Sequence, residues 1–422
     1  MTTLSADTTS EPGFLAERRA RAAELAGSLE LPSFRGQPGW EFTSLKGLDL
    51  DAFPAVGAGD LALARSIPPV LEAPEGAVRL DQVDATFSPG PELDSEGPLV
   101  LPLSEAAVSH LEVLEEHFGS IVAAEDPFVA RNEAGWTGGA FVYVPRGVAV
   151  EAPIVVTAVH ATPDAAAHWR TLVVLEDGAQ AEVWEQHLSA DDAQAGLVTT
   201  VVELAVGQGA SLRYVGAQDL SSKTWVFGSQ RAVVQRDGSL DWIILGFGSA
   251  NGRVAVETNL AGEGAEGRVT GAYATDGRQH LDYATTQEHA APRTNSDLAF
   301  RGILADRSQT VWSGMIKVDP GAQQIDAFQE SRNLLLSKKA HADAIPGLEI
   351  LANDVRCTHA AAIAQLDPEQ LYYLRSHGLP EGQAKRLVIE GFLQATVERF
   401  EEGPVREAVG AALDRRLEAV LG

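Results

Sequence analysis

A chain of 422 residues, 45% hydrophobic and 22% charged, is long enough for two or three domains around a substantial core. Its 59 acidic side chains against 32 basic ones give a formal charge of -27, which repels phosphate backbones and anionic lipid and so argues against nucleic acid and membranes as partners. A single cysteine, Cys357, excludes an internal disulfide framework and suits a reducing compartment, while apolar runs such as Ala140–Pro145 fall far short of the roughly 20 residues of a membrane span.

In chain order, Met1–Pro12 is rich in Ser and Thr without a basic or apolar stretch. It predicts a disordered tail rather than a secretory signal, and with it a cytoplasmic protein. Residues 13–31 interleave Phe14, Leu15, Ala22, Leu25 and Leu29 with Glu17, Arg18, Arg19 and Arg21, the spacing of a helix that Pro32 ends. A second helical pattern, Leu103–Phe118, carries Leu111, Leu114 and Phe118. Residues 13–135 thus read as a mixed, helix-bearing domain.

From 136 to 365 the texture turns to short β-rich runs: Phe141–Val144, Leu172–Leu175, Thr199–Val202 and Trp242–Leu245. Glycines punctuate them at Gly147, Gly178, Gly207/Gly209, Gly238 and Gly264/Gly267, then Gly321, in steps near 30 residues with a last gap of about two steps. Strand–turn units at a fixed period suit a stacked parallel β-helix, and equally a β-sandwich or barrel with regular turns. From 366 to 422 the chain is helical again. Asp367 and Pro368 open one helix that Gly378 ends. A second, Glu381–Phe400, has Ala384, Leu387, Val388, Phe392 and Val397 as its expected buried residues, and a third runs from Pro404 to Leu421.

Few motifs carry chemistry. Gly262-Glu-Gly-Ala-Glu-Gly267 has the letters of a dinucleotide fingerprint, but a strand rather than a helix is predicted after it, and Glu263 and Glu266 would repel phosphate. No lysine follows a glycine, so the chain has no phosphate loop, and no Gly-x-Ser-x-Gly elbow presents a nucleophile. His280 with Asp282, and Glu288 with His289, are each two potential ligands where a closed zinc site takes four; hydrogen-bonded turns account for them better. Cys357 and His359 lie two apart, so an extended strand would turn a soft and a borderline ligand to one side. The same parity in Val355, Ala361 and Ile363 would equally make that face buried packing.

The succession Asp326–Ser337 with its Asn333-Leu-Leu-Leu-Ser337, Pro346–Ile350, Asn353-Asp-Val355, Cys357-Thr-His359, Gln365-Leu-Asp367 and Leu371–Leu374 resembles the SufD family, one of two paralogous groups of scaffold proteins in SUF iron–sulfur cluster assembly. His289–Thr294, Gly302–Leu304, Ser313–Ile316 and Trp40–Leu45 fit the same resemblance. Ser337, where the SufB paralogue has cysteine, and Ala360, where it has glutamate, favour the SufD side; Ala360 and Ala364 also replace glycines common in the family.

The resemblance implies a parallel β-helix core over 136–365, with a non-catalytic scaffold role. It implies a heterodimer with a SufB-like paralogue through the end of that core, and a SufC-like ABC ATPase docked on 366–422, with Tyr372, Tyr373, Leu374, Leu387 and Phe392 as docking residues. It further implies a transient iron–sulfur cluster shared with the partner at His359 and, less directly, Cys357, and no nucleotide bound by this chain. One cysteine cannot supply the usual four thiolates, so a shared site follows from ligand number as well. The competing expectations are a β-helix carbohydrate-active enzyme and a homo-oligomeric scaffold working without the paralogue, with a homodimer as the form of the isolated chain.

Overall fold

The computed structural model describes residues 11–33, 39–91 and 97–421, so of the predicted tail only Glu11 and Pro12 fall within it. The centre of the chain is a flattened parallel β-solenoid, and the sandwich and barrel alternatives fall away. Successive strands alternate between a ten-stranded and a nine-stranded sheet among the described residues. The strand Ala165–Leu175 lies in one wall and Gln180–Ser189, after the Gly178 turn, in the other, so the expected strand–turn–strand units are corners of a coil and not hairpins. Register carries from coil to coil: Gln180 lies beside Ser211, Ser211 beside Ser239, Ser239 beside Glu266, Glu266 beside Asn295 and Asn295 beside Asp326.

One corner shows why the glycine signal was regular and then faded. Gly178, Gly209, Asp237, Gly264, Arg293 and Gln324 all hold left-handed backbone, with φ of 70, 63, 53, 74, 58 and 59°. Each donates its N–H to the next coil, to the carbonyls of Gln208, Arg236, Glu263, Pro292, Gln323 and Asp354 in turn. The period persists where glycine does not. A left-handed L-residue costs roughly 1–2 kcal/mol, which the coil-to-coil bonds offset at Asp237, Arg293 and Gln324. Gly238 and Gly321 stand near these corners without being the left-handed residue.

The tube is filled by alternate side chains from both walls, among them Val183, Leu212, Trp242, Val269, Leu298, Phe300 and Trp312. The outer face of the ten-stranded sheet is also apolar and needs a cover. Helices Glu381–Val397 and Pro404–Leu421 supply it, laying Ile389, Leu393, Val409, Leu413 and Leu417 against Trp184, Val215, Ile243 and Leu245. Each such buried side chain is worth about 1.5–3 kcal/mol. Arg416 fixes the position by donating to the Ala274 carbonyl at 3.0 Å, and Arg399 by donating to the Thr270 hydroxyl at 3.0 Å.

Two helical expectations need correction. Leu103–Phe118 is two helices, Leu103–Ser109 and Leu111–His117, because the Ser109 hydroxyl donates back to the Glu105 carbonyl and His110 leaves helical geometry at φ −135°, ψ 44°. In Glu381–Val397 the expected buried set is only partly right, with Val388 and Phe392 half-buried. Ala384 and Val397 are buried, but Leu387 is 49% exposed, and Ile389 and Leu393 face the solenoid instead. The helix has two apolar stripes, and the solenoid takes only one.

The N-terminal elements are tied to the solenoid by a charge network that is wholly buried at its centre. Arg170, with a side chain 0% exposed, reaches Glu203 at 2.9 Å and Glu133 at 3.4 Å, and Glu133 also meets Arg18 at 2.8 Å. The Glu203 carboxylate accepts the backbone N–H groups of Gly119, Ile121 and Val122 at 2.9–3.0 Å. The Arg170 guanidinium lies 4.3 Å from the centre of the Phe118 ring. Removing one member strands the others without water, so Arg170→Ala should lower stability by about 3–5 kcal/mol in urea titrations. The double change Arg170→Ala with Glu203→Gln should recover part of that loss.

Candidate functional site

The last coil differs from the others because, among the described residues, no further strand stacks on it. Among the described residues, the strand Val355–Gln365 ends the ten-stranded sheet and pairs with Ile325–Leu335 alone, and His341–Ile350 ends the other sheet and pairs with Gln309–Val318 alone. Their outer edges leave backbone N–H and C=O groups unpaired, and Pro346, which has no N–H to offer, is tolerated on such an edge. At the other end the solenoid is finished by antiparallel strands, Thr86–Phe87 on one sheet and Leu99–Pro102 on the other. The open end is also apolar: Ile345, Leu348, Ile350, Leu351 and Ile363 are all exposed.

Cys357 and His359 sit on this terminal strand, in register with Ala327 and Gln329, both of which are fully buried side chains of the coil beneath. The two residues therefore share the face that continues the lumen, as their spacing predicted, and that face is partly packing and partly open. Cys357 is half-buried against Ile316, Val318, Ile325 and Ala327, while His359, Ala361 and Ile363 are exposed. Burial, with the Asp326 carboxylate as a second cause, pushes the Cys357 thiol up. Gln329 beneath His359 donates to the Gly347 carbonyl at 3.0 Å and leaves its Oε1 buried without a partner. Ala360 and Ala364 lie in this strand with none of the left-handed φ that would demand glycine. No group of three or more His, Cys, Asp or Glu that could hold a metal ion occurs among the described residues. What the end presents is two potential ligands on an uncovered face.

Asp367 caps the helix Pro368–Ser376 through Glu369 N–H at 2.8 Å, and Gly378, at φ 93°, follows its end. This helix has no buried residue. Tyr372 and Tyr373 are 75% and 62% exposed, and together with Leu374 and Leu387 they line an open groove of about 950 Å³. Phe392 is elsewhere, packed partly against the core beneath the Arg301 guanidinium at 5.3 Å.

The remaining candidate pairs are structural. Thr43, from the Trp40–Leu45 segment, lies 3.0 Å from His280 Nε2 and donates to Asp282, which also binds Arg253 at 2.6 Å. Glu288 meets Lys317 at 2.6 Å, while His289 is buried between the Thr294 and Ser296 hydroxyls and pushed down to about 4 by desolvation. After Gly264 the chain enters the strand Glu266–Thr275, so the glycine cluster is a corner. Sequence reading missed the exposed apolar end, although Leu348 and Ile350 alternate as strand residues of one face do.

Comparison with known proteins gives a consistent result. Residues 158–392 match the SUF system FeS cluster assembly, SufBD core domain, and residues 80–156 match the SufBD protein N-terminal region. The chain is 30% identical over 414 residues to the iron–sulfur cluster assembly protein SufD of Bacillus subtilis, covering 96% of this chain and 95% of that protein. It is 27% identical over 304 residues to SufB of the same organism, covering 72% and 65%, and 28% identical over 305 residues, with the same coverage, to a SufBD family protein of Staphylococcus epidermidis.

The raised thiol gives a direct check. Alkylation of Cys357 by iodoacetamide should run slower at neutral pH than that of a free thiol, and accelerate only above the ordinary thiol range. Fast alkylation at pH 7 would show an activated thiolate instead.

Proposed function

The chain belongs to the SufBD family of iron–sulfur cluster assembly proteins, and we propose that within cluster assembly it is a non-catalytic scaffold subunit that completes its site only with a second polypeptide. The observation that carries this reading is the open terminal coil. Unpaired edges next to exposed apolar side chains favour strand addition by a partner whose own coil ends the same way. A SufB-like paralogue is the partner that fits, and a homodimer of the isolated chain is the fallback of the same surface.

At such a junction Cys357 and His359 supply part of a ligand set that the partner completes. Clusters held by four ligands, sometimes with histidine among them, are the cargo such a set suits. Ligands divided between two chains can be pulled apart, so a cluster built there can be released. A SufC-like ABC ATPase would dock on the groove of Tyr372, Tyr373, Leu374 and Leu387, where helix Pro368–Ser376 and the unused stripe of Glu381–Val397 meet. Nucleotide-driven movement of the ATPase would then act on the scaffold through helices that also grip the solenoid, provided its two states bind them differently. Phe392, under Arg301, would steady that grip rather than touch the ATPase.

Co-expression with the paralogue and the ATPase tests both surfaces. Ile363→Asp, placing a charge in the apolar end, should abolish co-purification of the paralogue while the ATPase still binds. His359→Ala should leave the complex assembled but lower the iron and sulfide retained after anaerobic reconstitution at least several-fold; undiminished loading would remove His359 from the site. Tyr372→Ala with Tyr373→Ala should weaken ATPase binding tenfold or more, since aromatic side chains dominate such contacts. Equal binding would place the ATPase elsewhere.

A further inference from the structure

One corner of the solenoid gathers cations that the rest of this acidic chain would be expected to pair. Where the chain passes from the ten-stranded to the nine-stranded sheet, His280 lies beside Gln309 and Gln309 beside His341. Arg278, Arg307 and Lys339 each stand two residues before one of these, so they hold the same place on three successive coils. The turns themselves stack: the Arg307 N–H donates to the Gly277 carbonyl at 2.9 Å, and the His341 N–H to the Ser308 carbonyl at 3.1 Å. Trp225 beside Asn251, and Asn251 beside His280, carry the column back to Lys223, with Ser249 in between. Lys338 adds a further charge in the last turn.

All five basic side chains are exposed, and none has an ion pair or a hydrogen bond among the described residues. Neighbouring coils repeat at about 4.8 Å, well inside a Debye length of roughly 8 Å, so the charges repel one another. The nearest carboxylates are turned elsewhere. Asp276 is held by Arg416 at 3.2 Å, and Asp306 accepts the Gly277 N–H at 3.0 Å. Lysine on a sheet edge discourages unwanted strand pairing, which accounts for Lys338 and Lys339 on the last coil. It does not account for Lys223, Arg278 or Arg307, whose coils have neighbours on both sides.

We propose that this column is a docking surface for a short segment of a partner protein rich in Asp and Glu. Sign and length both point there. Lys223 to Lys339 is four coil steps, about 19 Å, the reach of roughly six extended residues. One coil before Lys223 the same corner carries exposed Asp191 and Asp192, tied to it by the Ser221 hydroxyl donating to the Asp192 carbonyl at 2.8 Å. The potential therefore reverses just past the column. A long nucleic acid or a flat anionic membrane would run onto those carboxylates and the remaining surface of a chain of charge -27, whereas a short acidic segment fits between. At its other end the column reaches the terminal coil, where Lys339 precedes the strand His341–Ile350, so the occupant borders the open rim. The surface stands whether or not a paralogue closes that rim.

The test uses the full chain and a fluorescein-labelled peptide of six glutamates, followed by anisotropy. Saturable binding is expected at low ionic strength, weakened at least tenfold at about 0.5 M salt. Arg278→Glu with Arg307→Glu should also weaken it at least tenfold. Arg21→Glu with Arg79→Glu makes the same change of charge at two exposed arginines outside the column, and should leave binding within twofold. No binding at low salt would overturn the assignment. So would an equal loss in the two double variants, which marks an effect of bulk charge alone. Tighter binding of a six-nucleotide oligothymidylate, or of vesicles of phosphatidylserine in phosphatidylcholine, would make the column a phosphate surface and overturn it as well.

Discussion

A parallel coil satisfies its backbone groups only through the coil above and the coil below. Every solenoid therefore has two ends that cannot close themselves, and the rest of this molecule is arranged around that debt of unpaired amides. At the N-terminal end antiparallel strands settle it within the chain. At the C-terminal end no strand among the described residues does, and Cys357 and His359 fall on the edge left over. Their position comes from where the coils stop, and that is why an isolated pair of ligands and an uncovered apolar rim occur together.

The helices after the last coil could have capped this end and do not. They turn back along the outer face of the ten-stranded sheet, where Arg399 and Arg416 grip strand backbones and side chains and Arg415 reaches the Val70 carbonyl at 2.6 Å. The C-terminal arm thus binds solenoid and N-terminal segment into one body. Only Pro368–Ser376 stays outside, with no buried residue and its two tyrosines presented. A surface that does not contribute to the fold is free to be shaped by a partner.

Much of this was legible before the structure. Strand runs, the cap at Asp367 and the shared parity of Cys357 and His359 all follow from local rules that the surroundings reinforce. What escaped depends on contacts distant in sequence. Arg293 and Gln324 take left-handed corners because six coils stack there, which no propensity foretells. Helix Glu381–Val397 has apolar residues on two faces, and composition cannot say which one the solenoid uses. Glu185 looks like an outward polar residue of a strand; the hydroxyls of Thr171 and Tyr214 that let it turn inward come from other strands.

The stacked left-handed corner also limits how such a chain can change length. Each of its amides must meet a carbonyl about one coil onward, so a single inserted residue on that side would throw every later strand onto the opposite face. Growth or loss by whole coils avoids this, as do insertions at the other bends, such as the exposed turn around Asp191 and Asp192. The architecture works as a ruler with fixed divisions. It keeps the distance from the anchored first coil to the open rim quantised, whatever happens to the loops.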